Sequence, residues 1–316
     1  MSSAPVIDKL ALIGVGLIGG SIARAAREYG AARTIVATAR SEATRRRVVE
    51  LGIADQVVET NAEAVRGADL VIVCIPVGAS GPVAQEIAAY LKSGAIVSDV
   101  GSVKGAVLKD MAPHIPAGVH LIPAHPVAGT ENSGPDSGFP ELFVNRWCIL
   151  TPPEGANADA VAKLNAFWTA LGANVETMTA EHHDLVLAIT SHLPHLIAYT
   201  IVGTADELEG VTESEVLKFS AGGFRDFTRI AASDPTMWRD VFLNNKEAVL
   251  EMLGAFQEDL SKLTRAIRRA DGDALFDHFS RTRAIRRGIL DIGQDAASAD
   301  FGRPHEGLPR KDPGAA

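Results

Sequence analysis

The sequence predicts an α/β domain built on a doubly wound parallel sheet, followed by an all-α helical half, and three observations carry that expectation. From Asp8 to about Met178, short β-rich runs (LALIG, TIVAT, LVIVCI, AIVSDV, HLIPAH, RWCILT, NVETM) alternate with amphipathic patterns such as Ser21 to Tyr29, Val83 to Leu91 and Ala158 to Leu171. Glycines bunch directly after the first run, in GVGLIGGS from Gly14. After about Thr179 the β signals stop and long helical periods take over. Strands apolar on both faces belong to sheets covered by helices on both sides, and their alternation with helices marks βαβ units.

The first strand, LALIG, feeds straight into Gly14, Gly16 and Gly19, a G-x-G-x-x-G pattern that opens a helix. Those glycines allow a tight turn, close approach of the backbone to a pyrophosphate, and close helix–strand packing, which makes the domain Rossmann-type and dinucleotide-binding. A purely structural glycine turn is the other reading. Leu17 and Ile18 in the same turn, and Ile75 and Pro76 after the LVIVC run, are assigned to the same cofactor. An NAD site usually closes its second strand with an acid that bonds the ribose 2′-hydroxyl. Here Thr38, Ala39 and Arg40 stand at that place, with no acid before Glu42. Arg40, with Ser41 or Thr44 as hydroxyl donors, suits a 2′-phosphate, because guanidinium and phosphate match in charge and fork geometry. NADP is therefore expected ahead of NAD. Arg45, Arg46 and Arg47 are read as a solvated helix face.

The next strand leads into SDVGSVKG, with Asp99, Ser102 and Lys104 at its carboxyl end, where open α/β sheets bind ligands. The one after it leads into AHPVAGTE. Pro126 biases His125 towards an extended conformation, and Ala124, Ala128 and Gly129 leave space around its ring. Two readings fit: a satisfied strand-end histidine, or a catalytic base with room for substrate whose tautomer Ser102 fixes.

The helical half runs over 180–295 after a dinucleotide-binding domain over 1–179, and a Gly-, Pro- and charge-rich tail over 296–316 is expected to be disordered. Asp184 to Leu208 is apolar on most faces and predicts one core helix. Within it SHLPHLIA sets His192 and His195 three apart, fitting substrate ligation or a buried hydrogen-bonded pair. No Glu or Cys of matching spacing stands near them, so no metal is expected. His182 and His183 are read as exposed helix-start residues without a role. SAGGFRDFTRIAASDPTMWRD brings Arg225, Asp226, Arg229 and Trp238 together, and arginines beside glycines and aromatics make carboxylate clamps. Val249, Leu253, Phe256, Leu260, Leu263 and Ile267 form an a/d seam that needs a partner helix, within the chain or from a second copy.

Composition narrows the class. A net charge of −9 over 316 residues argues against nucleic-acid or anionic-membrane partners. The two cysteines, Cys74 and Cys148, each inside an apolar run, suit a reducing compartment. MSSAPVIDKL lacks the basic and apolar regions of a secretory signal, and no apolar run reaches the ~18 residues of a membrane span, so a cytoplasmic protein is expected.

GxGLIGGS, DVGSVKG, HPVAGTE, SHLPH, GGFRDFTRIA and SDPTMW, in this order, resemble the prephenate/arogenate (cyclohexadienyl) dehydrogenases of tyrosine biosynthesis from the first strand to about Ile292. The resemblance implies NAD(P)-dependent oxidative decarboxylation of prephenate or arogenate to 4-hydroxyphenylpyruvate or tyrosine. Hydride leaves the ring carbon bearing the hydroxyl, carbon dioxide leaves the opposite carbon, and the ring becomes aromatic. It also implies that His125 takes the proton of the ring hydroxyl with support from Ser102. His195 and Arg229 are carried over as substrate-binding, Arg229 pairing a carboxylate, together with Glu131, His192 and Asp226. An intertwined homodimer through the helical half is implied as well. Ala39 and Arg40 depart from the NAD-specific members. Two other classes fit the residues less well. A β-hydroxyacid dehydrogenase-type reductase would carry a lysine and an asparagine where SHLPH stands, whereas Asn244, Asn245 and Lys246 lie well downstream. A non-catalytic NADP-binding sensor would tolerate loss of His125, Ser102 and Arg229, and all three are present.

Overall fold

The computed structural model describes residues 4–130, 132–212 and 222–291, and their side chains apart from those of 208–212 and 289–291. Strands β1 (Ile7–Ile13), β2 (Ala32–Thr38), β3 (Gln56–Val58), β4 (Leu70–Val73), β5 (Ile96–Asp99) and β6 (His120–Leu121) form one six-stranded sheet in the order β3-β2-β1-β4-β5-β6. Every pair in it is parallel. Helices α1 (Leu17–Glu28), α2 (Glu42–Glu50), α3 (Asn61–Val65), α4 (Ser80–Ile87) and α5 (Lys104–Met111) fill the connections. The strands read as apolar on both faces because they serve two cores. Leu10, Leu12, Leu70 and Ile72 pack with Ile22 and Ala26 of α1 on one face. Ala11, Ile13, Val71 and Val73 pack with Ile87, Val107 and Met111 on the other. Burying a Leu or Ile side chain contributes roughly 1.5–3 kcal/mol, so both faces select apolar residues, and the buried polar side chains Thr38, Ser98 and Asp99 stand at or next to the carboxyl ends of their strands. The strand order reverses between β1 and β4, and a crevice opens there at the carboxyl ends.

Two features depart from the sequence expectation. β3 was not foreseen; it is a three-residue edge strand with little burial, so its apolar signal is faint. HLIPAH is not one strand. Ile122 makes the last ladder bond, to the Val97 carbonyl at 2.9 Å. Pro123, with no N–H to continue the ladder, turns the chain out of the sheet. β7 (Ala124–Pro126) then pairs antiparallel with β8 (Trp147–Leu150), and β8 pairs parallel with β9 (Asn174–Thr177). His125 therefore sits on a small second sheet. Helix α6 (Ala158–Ala170) bridges β8 and β9 and sends Phe167 and Trp168 into the first core.

The helical half contains α7 (Ala180–Leu187), a π-helical turn at Ala188–His192, α8 (Leu193–Thr212), α9 (Gly222–Thr228), a 3-10 turn at Arg229–Ala232, α10 (Pro235–Asn244), α11 (Lys246–Arg268) and α12 (Gly272–Asp291). The helix expected from Asp184 starts earlier, at Ala180, and widens before Pro194, which has no N–H for the carbonyl one turn back. By length and composition Ala180–Glu207 would pass for a membrane span, with a mean hydropathy of 1.6 in its most apolar window, contrary to the expectation that no run reaches that limit. Its inward face carries the buried His183, Asp184 and His192, while Leu185, Ile189 and Ile201 are exposed, so the core helix expected from the sequence is buried along one stripe only. Trp238 and Val241 of α10 complete the second core of the sheet domain.

The chain divides into a compact unit that runs to Asp259 and another that begins at Leu260. Along the a/d seam Val249 is buried, whereas Leu260 and Ile267 are 50% and 66% exposed. Phe276, Phe279 and Ile285 of α12 are exposed too. The 296–316 tail lies outside the described residues.

Candidate active site

At the end of β1, Gly14 takes φ +91°, and a Cβ there would stand 2.4 Å from the Cys74 carbonyl oxygen. A Cβ on Gly19 would meet the Gly14 oxygen at 2.3 Å, so these two glycines are dictated by the turn and by helix–strand packing. Gly16 differs: nothing lies within 4 Å of where its Cβ would be. It caps α1 with no side-chain hydrogen bond, leaving the first-turn amides of Leu17, Ile18 and Gly19 for a ligand. Ile75 lies against Gly14, its Cγ2 2.9 Å from the position of that Cβ, and Pro76 follows it. The cradle fits a pyrophosphate at the switch point.

Past β2, Arg40 is exposed beside Ala39. Ser41 and Thr44 are partly committed to each other: Ser41 Oγ accepts from the Thr44 amide at 3.0 Å and lies 2.7 Å from Thr44 Oγ1. Arg45 is not the solvated residue expected, because its Nη1 donates back to the carbonyls of Ala39 (2.8 Å) and Arg40 (3.2 Å). Arg47 is exposed as expected, and pairs with Asp136 and Glu50, tying α2 to the loop after His125. Arg46 pairs with Glu42 on the exposed face.

Across the crevice the polar groups form a buried network. Asp99 ends β5, accepts from the Gly101 amide at 2.7 Å and from the Ala124 amide at 3.2 Å, and meets Lys104 Nζ at 2.5 Å. Lys104 Nζ also donates to the Ala124 carbonyl at 2.8 Å. Burial pushes the fully enclosed ammonium down and Asp99 holds it up. The pair thus grips both polar atoms of the peptide residue preceding His125. His125 is 6% exposed. Its Nδ1 lies 2.8 Å from His183 Nε2, and His183 Nδ1 lies 2.8 Å from Asp184 Oδ1. Burial first, then the charges of His183, Lys104 and His192, hold the pKa of His125 well below its ordinary value, so the ring is neutral at pH 7. Among the described residues no partner takes its Nε2. Ser102 is half-buried, and no hydrogen bond joins its side chain to His125; the ring is fixed by His183 instead. His183 is itself fully buried, which corrects the expectation of an exposed, idle residue, while His182 is exposed as foreseen.

His192 is enclosed, with Nδ1 3.1 Å from Asn245 Nδ2, and burial lowers its pKa to about 4. Its Nε2 is a buried nitrogen without a partner, as is Nε1 of Trp238. His195 is half-buried and stacks on Trp238 at 3.6 Å between centroids. It donates from Nδ1 to the Ser191 carbonyl (2.9 Å), which leaves Nε2 for a ligand. Burial lowers its pKa, and Arg229 lowers it further, which places that guanidinium nearby. Arg229 is half-buried, Arg225 and Asp226 are exposed on α9, and Glu131 lies outside the described residues. The sequence reading missed His183, Asp184, Asn245 and Arg45. A signal for the first two existed: Ala180, His183, Asp184, Leu187 and Ala188 fall at the spacings of one buried helix stripe.

An open glycine cradle at the switch point of a doubly wound sheet, faced by a buried neutral histidine, defines a dinucleotide-dependent dehydrogenase. Residues 22–177 match the nucleotide-binding domain of prephenate dehydrogenase and residues 179–281 its dimerization domain, so the chain belongs to the prephenate dehydrogenase family. It is 44% identical to the cyclohexadienyl dehydrogenase of Zymomonas mobilis over 89% of this chain and 96% of that protein. The structure of Aquifex aeolicus prephenate dehydrogenase in complex with hydroxyphenyl propionate and NAD+ matches with TM-score 0.83 and 33% identity, over 89% of this chain and 98% of that one. Synechocystis arogenate dehydrogenase matches with TM-score 0.74 and 27% identity, over 89% and 99%.

Proposed function

We infer that the protein is the dehydrogenase of tyrosine biosynthesis that oxidatively decarboxylates a cyclohexadienyl substrate, prephenate or arogenate, with NADP ahead of NAD. The observation that carries this reading is the neutral His125, whose Nδ1 is occupied and whose Nε2 has no protein partner. The nicotinamide cofactor, when bound, supplies the hydride acceptor. Gly14, Gly16, Leu17, Ile18 and Gly19 would hold its pyrophosphate, with Ile75 and Pro76 against the same turn. His125 Nε2 accepts the proton as the ring hydroxyl becomes a carbonyl, and can return it to the phenolate oxygen that forms when carbon dioxide departs. A neutral imidazole is a suitable acceptor near pH 7. Ser102 at the crevice edge supports the hydroxyl, His195 orients the ring from the other side, and Arg229 pairs a carboxylate, holding the ring for a short hydride path. Glu131, His192 and Asp226 are kept on the substrate side, His192 through the wall rather than by contact.

For the cofactor, Arg40, Ser41 and Thr44 remain the candidates for the 2′-phosphate, now with Arg45 beside them. The half from residue 180 would serve substrate and dimerisation, 1–179 the dinucleotide. The exposed Leu260, Ile267, Phe276 and Phe279 supply the apolar face that a second copy would cover in a homodimer. The free thiols Cys74 and Cys148 suit the cytoplasm. Initial rates at 340 nm with each substrate and each cofactor test the reading. Reduced NADP forming faster than reduced NAD is expected; no reduced cofactor with either substrate defeats it.

A further inference from the structure

We propose that His183 and Asp184 are positioning residues that lock His125 into the single tautomer able to take a proton at Nε2. The inference rests on His125 being the proton acceptor. It follows from tracing donors outward from a group that can only accept. α5 begins at Lys104 after Val103, which offers no side-chain cap. Asp184, from α7, supplies that cap: its Oδ1 accepts from the Lys104 amide and its Oδ2 from the Gly105 amide, both at 2.8 Å. With both oxygens accepting, the 2.8 Å contact to His183 Nδ1 needs a proton on that nitrogen. Because burial lowers the His183 pKa, outweighing the Asp184 carboxylate, the neutral ring then has a lone pair on Nε2. The 2.8 Å contact from there to His125 Nδ1 requires the proton to sit on His125. His125 Nε2 is left as a lone pair.

The arrangement holds its own geometry. Asp184 cannot turn without uncapping α5, and Asn245 Nδ2 pins its backbone carbonyl at 2.8 Å. When the hydroxyl O–H bond breaks and the Nε2–H bond forms, the charge appearing on His125 faces the His183 lone pair, and Asp184 stabilises it through the ring between them. No proton needs to reach Asp184. The same logic governs the aspartate behind the histidine of a serine-hydrolase triad. The charged or titratable neighbours are Asp184 from α7, Lys104 and Asp99 from the sheet side, and His192 from the π turn.

The test uses the full-length enzyme with saturating cofactor. His183→Leu, which removes the acceptor, is expected to lose on the order of 10²-fold in kcat with cofactor KM unchanged. His183→Gln, whose Oε1 can accept the same N–H, should recover at least ~10-fold of that loss. Asp184→Asn should shift the acid limb of kcat/KM to lower pH, because His125 loses the charge that supports its protonated form. Nitrogen-15 histidine spectra of the unaltered enzyme, with the His125 signals identified by their loss in His125→Asn, should show the proton on Nδ1. A proton on Nε2, or a folded His183→Leu enzyme with unaltered kcat and acid limb, overturns the proposal. If His125→Asn itself keeps its kcat, the base assignment falls instead, and the spectrum still decides the tautomer.

Discussion

The cofactor cradle and the histidine network face the same crevice, yet they are built by opposite means. The cradle is backbone: a Cβ on Gly14 would strike the Cys74 carbonyl and one on Gly19 the Gly14 carbonyl, while Gly16 has empty space beside it. The network is built largely from side chains, assembled from β5, α5, β7, α7, the π-helical turn and Asn245, and the bonds that bring α7 to α5 and β7 and Asn245 to the π turn join residues 53 to 80 positions apart. A cradle of this kind fails when volume is added. A network of this kind fails when a donor and an acceptor are exchanged, even at constant volume.

The largest expected effect lies at the network's end point. His125→Asn keeps a polar group but removes the proposed base, and kcat should fall roughly 10²- to 10⁴-fold with cofactor affinity unchanged. In the unaltered enzyme the base is competent once neutral. Since its pKa lies well below 6.5, kcat/KM should rise with pH to a plateau reached before pH 7. An acid limb centred above pH 7 would show that a different group is being titrated.

Next comes the ion pair beneath. Lys104→Met removes a fully buried charge and leaves Asp99, 2% exposed, without its partner. Breaking such a pair costs about 3–5 kcal/mol, measurable by urea unfolding. A cost below ~1 kcal/mol would mean that water reaches Asp99. Gly14→Ala is the matching assault on the cradle. The strained φ alone costs about 1–3 kcal/mol, and the clash with Cys74 should raise cofactor KM more than it lowers kcat. If the network lost more cofactor affinity than the cradle, the division drawn between the two regions would be wrong.

That division also explains what was legible in the sequence. The glycine cradle, the central strands and His125 are local signals, because G-x-G-x-x-G after an apolar run and a proline-flanked histidine state their own surroundings. Ser102 as the partner of His125 was a guess from sheet-edge proximity, and the real partner, His183, came from 58 residues away. Nothing within AEHHD names its partner, and only the spacing of Ala180, His183 and Leu187 says that it faces inward. Pro123 splitting β6 from β7, and Arg45 folding back on its own helix start, are likewise outcomes of tertiary geometry.

A smaller effect separates the regions by acid. His192 has a folded pKa near 4, against about 6.5 unfolded, so the unfolded chain binds the proton first as pH falls. Stability should therefore drop between pH 6.5 and 4, by about 2 kcal/mol at pH 5 from this residue alone. Comparing melting temperatures at pH 7 and 5 for the native chain and for His192→Gln checks it: the variant should show the flatter dependence. The cradle holds no comparable buried histidine.

The smallest effect concerns the rim of the cradle, where backbone gives way to charge. Arg45 is held by the carbonyls of Ala39 and Arg40, so it stays at the end of β2 whether or not a ligand is present. A prepositioned guanidinium loses little freedom on meeting a phosphate, whereas the exposed Arg40 must be ordered first. At this solvent-facing rim one charge-assisted contact is worth about 1.5 kcal/mol, the low end of its range. Arg45→Ala should accordingly raise the KM for NADP about 10-fold and leave that for NAD unchanged. An equal rise for both cofactors would mean that Arg45 only shapes the turn, leaving Arg40 as the candidate contact behind the proposed preference for NADP.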